Sequence, residues 1–186
     1  MSYTEMYLVP QSGGVELYRE FPNSWHGAML LWSHLSEKYL DESLSLLMMR
    51  DSKRLWNLVK DDRLSRDERI AFATTFDRVM VKQEHFRLAA NAIDRMIREP
   101  NSAGHWGNWP DQADALRWLV LDPTCFAVAW NQTSVNADTW QVYEESNDAE
   151  DNTTRPYDLS RDSWHWFLFD HYPELLSLAT KDTVNV

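Results

Sequence analysis

His165, Asp170 and His171, in the run WHWFLFDH, are residue types that bind metal ions or move protons. On one helix, positions 165 and 171 would stand about 240° apart and positions 165 and 170 about 140° apart. A single helix cannot aim them at one ion, so they read as the polar edges of an aromatic core. Cys125 is the sole cysteine, and it sits in an apolar run where a thiol is inert rather than nucleophilic. The adjacent carboxylates Asp61-Asp62, Glu144-Glu145 and Glu150-Asp151 fall in segments that read as loops or helix ends. General acid–base work needs a pair held in a cleft, so solvated carboxylates are the expectation there. Phosphate-binding glycine loops, nucleophile elbows, zincin motifs and paired zinc cysteines do not occur in the sequence. No metal and no cofactor is expected.

Charge and tryptophan are the features that point outward. The formal net charge is −11. Residues 1–37 carry four acids and one arginine; residues 38–99 carry eleven acids and thirteen Lys/Arg; residues 100–186 carry fourteen acids and four Lys/Arg. Seven of the ten tryptophans lie in that last, acidic stretch. An acidic surface argues against direct nucleic-acid binding, which draws on counterion release by cations. It suits a basic protein partner, or it serves solubility alone. Trp106 and Trp109, flanked by His105 and Asn108, make an aromatic loop in this half. That loop is either an interface anchor or a cover folded onto the core by its two indoles. The expected partner-binding residues are therefore Trp106, Trp109, Glu144, Glu145, Glu150 and Asp151.

The elements that must position these residues are mostly helical. Residues 4–9 and 15–21 read as a hairpin around Pro10, Gly13 and Gly14. Asn23-Ser24 caps a helix carrying Trp25, Ala28, Met29, Trp32, Leu35 and Tyr39. A second helical stretch runs from about 43 to 60, with a possible break at Asp51-Ser52. Ser65-Arg66-Asp67-Glu68 is a capping box. From it, Phe72, Phe76, Val79, Gln83, Phe86, Ala90, Ile93 and Ile97 recur at alternating spacings of four and three. The pattern predicts one helix over 65–98, on the order of 50 Å long. It packs inside its own domain or, alternatively, forms a homo-oligomer through 72–97. A short helix from 110 to 121, strands near 125–130 and 139–143, and a helical stretch over 164–170 follow, with a last helix from Pro173. Residues 144–162 are polar and acidic and read as a mobile loop.

The expected fold is α+β and predominantly helical, with one long helix and a small antiparallel sheet; all-α is the alternative. One domain over 1–186 fits the length. A single cysteine, no signal peptide and no apolar run long enough to span a bilayer predict a cytoplasmic protein without membrane contact. Three functions remain open. The first is a non-catalytic inhibitor, immunity-type protein or nucleic-acid mimic that presents an acidic aromatic surface to a basic, possibly nucleic-acid-binding, protein. The second is an enzyme acting on a small or glycan ligand with a Trp platform and His/Asp acid–base groups. The third is a helical assembly protein.

Overall fold

The computed structural model describes residues 3–22, 24–132, 139–144 and 153–177. The fold is mixed α+β. Strands β1 (Tyr3–Pro10) and β2 (Glu16–Pro22) form the expected hairpin. β2 buries only Phe21, as befits an edge strand. Helix α1 (Ala28–Leu40) follows a 3-10 turn, and α2 (Leu44–Arg50) and α3 (Ser52–Asn57) break at Asp51 as the sequence suggests.

Helix α4 (Arg66–Ala73) begins with the predicted capping box: Ser65 accepts from the Glu68 backbone N–H, and Glu68 accepts from the Ser65 N–H. The long helix expected over 65–98 does not form. Thr74 and Thr75 turn their hydroxyls back onto the carbonyls of Ala71 and Phe72, at 2.7 and 2.6 Å. Arg78 then takes a left-handed conformation (φ 63°), which no helix continues through. The segment that follows, with β-branched Val79 and Val81, is strand β3 (Val79–Lys82), and only after it does α5 (Phe86–Met96) start. Gln83, which reads as a polar gap in a helical seam, instead donates to the carbonyls of Leu119 (2.9 Å) and Asp122 (2.6 Å). It closes the end of α6 (Trp109–Leu119). Phe72, Val79, Phe86 and Ile93 are buried within this chain, so these residues pack inside their own domain, the first of the two arrangements expected for them.

Strand β4 (Cys125–Asn131) pairs antiparallel with both β1 and β3. Strand β5 (Gln141–Glu144) pairs with β6 (Thr153–Pro156) rather than with the N-terminal hairpin. Residues 144–162 were expected to be a loop throughout. Their described part instead holds β6 and the fully buried Tyr157, while residues 145–152 lie outside the described residues. The Arg155 guanidinium fixes this segment with two 2.8 Å contacts to Asp162 and one to Glu144. Residues 164–170 are not one helix. β7 (Trp166–Phe167) runs parallel to β3, and α7 (Leu168–His171) is a single turn.

The main sheet has the order β2-β1-β4-β3-β7. Helices cover one face over Met6, Val81, Val128 and Trp130. The other face, bearing Tyr7, Val9, Met80, Ala127 and Ala129, is covered by Val15, Trp140 and Tyr157. No helix among the described residues is long and apolar enough to cross a membrane.

Phe86 is fully buried where α5 meets this core. Phe86→Ala is expected to cost about 3–5 kcal/mol in a denaturant melt, the usual price of deleting a buried ring. A loss under about half a kcal/mol would show that α5 is not packed this way.

Candidate functional site

The sequence-singled residues do not converge. His165 is bonded through Nδ1 to the Tyr157 hydroxyl at 2.7 Å. Asp170 accepts from Lys82, and His171 packs against Trp166 and Tyr172. Burial pushes the Cys125 thiol up to about 12, so it stays a thiol at neutral pH. Side-chain and backbone hydrogen bonds from Arg63 hold Asp61 down to about 2. Trp106 and Trp109 are both buried: the Trp106 indole donates to Glu99 O and that of Trp109 to Gly27 O, each at 2.9 Å. Of their two expected roles, the one observed is that of a loop pinned to the core. Glu144 is ion-paired to Arg155, and Glu145, Glu150 and Asp151 lie outside the described residues.

What the fold does assemble is a cavity of about 340 Å³ lined by Trp32, Trp56, Thr75, Phe76, Asp77, Trp130 and Gln132. Its walls come from four elements: α1, α3, the turn after α4 and the end of β4. Trp32 and Trp56 meet edge to face at 5.0 Å, and Trp56 meets Phe76 likewise at 5.9 Å. The Trp32 N–H is used internally, donating to Thr75 Oγ1 at 2.9 Å. Thr75 in turn donates to Phe72 O.

Two buried polar atoms in this lining are unmatched. Among the described residues the Trp130 indole N–H and the Gln132 side-chain oxygen have no hydrogen-bond partner, although the two residues are only 1% and 5% exposed. The Gln132 amide is oriented by its other end. Nε2 faces two acceptors, Gln112 Oε1 at 3.2 Å and Thr74 O at 3.4 Å, so the atom left over is the carbonyl oxygen. Gln112 is held by its own donation to Asn108 Oδ1 at 2.9 Å. One fixed donor and one fixed acceptor thus stand shielded from solvent, just behind the aromatic walls. Asp77, exposed, is the one titratable group among the described lining residues.

Sequence reasoning places Trp32 on a helix and residues 125–130 on a strand, and does not single out Gln132. The abundance of tryptophan is the signal that was present, but its grouping comes from residues 32, 56 and 130, which only the fold brings together. Comparison with protein-family models, curated proteins and solved structures gives no match for this chain.

The amide chain behind the cavity is anchored at Gly107, whose φ is +55°. A Cβ there would run into the His26 carbonyl, which accepts from Asn108 N–H at 2.6 Å. Gly107→Ala is expected to destabilise by about 1–3 kcal/mol or more, through backbone strain added to that clash. A denaturant melt superimposing on that of the wild type would show that this clamp is absent.

Proposed function

We propose that this protein binds a small, flat, uncharged organic molecule carrying a hydrogen-bond acceptor and a donor on its edge. The observation that carries this reading is the pairing of the unmatched Trp130 N–H and Gln132 oxygen in one aromatic cavity. Burying a polar group without a partner costs about 1–3 kcal/mol, and a ligand with the complementary pair recovers that cost once the lining rings move aside to uncover the two shielded atoms. The cavity is of ligand size, at the lower end of the usual range of about 300–1,000 Å³. Among the described residues its lining contains no Lys, Arg or His, and Asp77 adds negative charge. An anion entering it would lose hydration without a counter-charge. Acid–base catalysis calls for a matched donor and acceptor of protons, and the lining offers one carboxylate, so the arrangement favours binding over turnover.

Benzamide is a suitable probe, with a ring for the aromatic walls, a carbonyl for Trp130 and an amide N–H for Gln132. We expect saturable binding at roughly millimolar concentration, given so few atoms, with a shift of the Trp130 indole N–H resonance. Benzoate, similar in shape but charged, should bind at least about tenfold more weakly. Trp130→Phe and Gln132→Met should each weaken benzamide about fivefold, equivalent to one hydrogen bond of about 1 kcal/mol. Equal binding of benzamide and benzoate, or no shift at Trp130, would sink the proposal.

A second reading, recognition of a basic protein, is favoured by the outer face of α6. Asp111, Asp114, Trp118 and Leu121 are all exposed there at helical spacing, with Trp118 71% and Leu121 72% accessible. Here Trp118 takes the anchoring role that Trp106 and Trp109, being buried, do not offer. With a lysine-rich peptide as probe, Trp118→Ala should speed dissociation, and Asp111→Asn with Asp114→Asn should slow association and flatten its salt dependence. Binding indifferent to both sets of changes would reject this face.

A further inference from the structure

On the opposite flank of α1, His34, Lys38 and Tyr39 meet Glu68 of α4 and Glu99, which follows α5. His34 Nε2 and one carboxylate oxygen from each of Glu68 and Glu99 lie within 4.8 Å of one another. His34 and Glu68 are buried, at 8% and 3% exposure, and Glu99 is half-exposed. Nε2 of His34 is buried without a hydrogen bond and sits 3.5 Å from Glu99 Oε2. A nitrogen ligand and two oxygen ligands, drawn from three separate segments, thus converge, the imidazole nitrogen making only the long 3.5 Å approach to Glu99.

A cation already occupies the centre. Lys38 Nζ lies 2.9 Å from Glu68 Oε1 and 2.6 Å from Glu99 Oε2. Tyr39 donates to both Glu68 oxygens at 2.7 and 2.9 Å, and the Ser65 N–H donates to Oε2 at 2.7 Å. The Lys38 side chain is 36% accessible, so it can swing into solvent. The buried ligands, in contrast, are fixed: Glu68 by Tyr39 and the capping box, His34 by the Trp106 ring packed edge to face at 5.1 Å. A cavity of about 360 Å³ lined by His34, Lys38 and Asn101 opens beside the cluster and gives an entry path.

We propose that His34, Glu68 and Glu99 form a binding site for a divalent transition-metal ion of the zinc class, with the Lys38 ammonium as its built-in competitor. The donor set decides the class. Imidazole with two carboxylates suits Zn²⁺ or Co²⁺, which take four ligands at about 2.0–2.2 Å and accept water in the open position. Ca²⁺ needs six to eight oxygens, and Mg²⁺ a near-octahedral oxygen shell, which three protein ligands with one nitrogen do not provide. Burial lowers the His34 pKa, which favours the neutral imidazole that ligates. The Lys38 ammonium donates to Glu99 and to Glu68 and is held between the two carboxylates. The metal therefore binds in exchange for that cation, and ejecting it weakens affinity in the wild type. Either cation does the same mechanical work of tying α1 to α4 and to the segment after α5.

The probes are Zn²⁺, followed by calorimetry, and Co²⁺, followed by visible absorption, on the full chain. Wild type should bind one Zn²⁺ weakly. Lys38→Met should bind one Zn²⁺ at least about tenfold more tightly and give a Co²⁺ spectrum of tetrahedral intensity. His34→Ala or Glu99→Gln added to Lys38→Met should lose at least about tenfold of that affinity, as loss of a ligand requires. Uptake unchanged by Lys38→Met, or unchanged by loss of His34, would place the metal elsewhere and overturn the proposal; so would no uptake by either protein. Should Lys38→Met fail to fold, the same comparison of His34→Ala and Glu99→Gln in the wild-type background decides by the same criterion.

Discussion

Strand β4 gives up six of its seven side chains to the interior, and both of its edges are paired. A strand buried on two faces needs a cover on each and a hydrogen-bonding neighbour on each side, because unpaired backbone groups away from water are costly. Val128 and Trp130 point into the helical core, while Ala127 and Ala129 point the other way. The small alanines leave room for Trp140 and Tyr157, whose rings meet edge to face at 5.3 Å. Trp140 also donates its N–H to Trp130 O at 2.9 Å. The β1–β2 hairpin satisfies one edge of β4. The other edge has to be met by a strand lying between two helices, which explains why α4 and α5 are separate.

Most of the chemically specific local signals in the sequence survived; the Asn23-Ser24 cap did not, because Ser24–His26 is a 3-10 turn and α1 starts after Gly27. The Ser65–Glu68 capping box, the break at Asp51, Pro110 in the first turn of α6 and the first hairpin are all observed. Each rests on hydrogen bonds or turn preferences confined to a few residues. The long-helix reading failed because spacing alone carried it. Val79 and Val81 face the same core as Phe72 and Phe86, so a strand inserted at that point preserves the apolar phase. The contrary signal was chemical: two threonines followed by a segment with β-branched Val79 and Val81. The polar composition of 144–162 misled in a similar way. Arg155 and Asp162 read as solvated charges, yet they brace the segment that buries Tyr157.

The candidate site was less legible than the fold, for a geometric reason. Trp32, Trp56, Phe76 and Trp130 belong to elements far apart in the chain, and each reads alone as a core aromatic. Gln132 acquires its meaning only from the Gln112 and Thr74 contacts that commit its nitrogen and release its oxygen. The cluster of His34, Glu68 and Glu99 is hidden in the same manner, with intervals too long for any ligand-spacing motif. By contrast, the visible grouping WHWFLFDH disperses, because β7 ends at Phe167 and α7 begins at Leu168.

The two polar clusters relate differently to stability. In the Lys38 cluster one ammonium is shared by two carboxylates, and Tyr39 and Ser65 supply further hydrogen bonds to Glu68. Breaking such a buried arrangement by removing one partner strands the others, so the cluster fixes how α1 sits against α4 whatever cation it holds. The aromatic cavity is the reverse case. Its unmatched N–H and carbonyl oxygen each cost about 1–3 kcal/mol, a sizeable share of a typical stability of about 5–15 kcal/mol. Nothing in the backbone of β4 requires that cost, since a phenylalanine at 130 would fill much of the same space without a donor. A polar pair that the fold does not need, lining a cavity that aromatic rings keep open, is the pattern expected where binding rather than folding sets the side-chain choice.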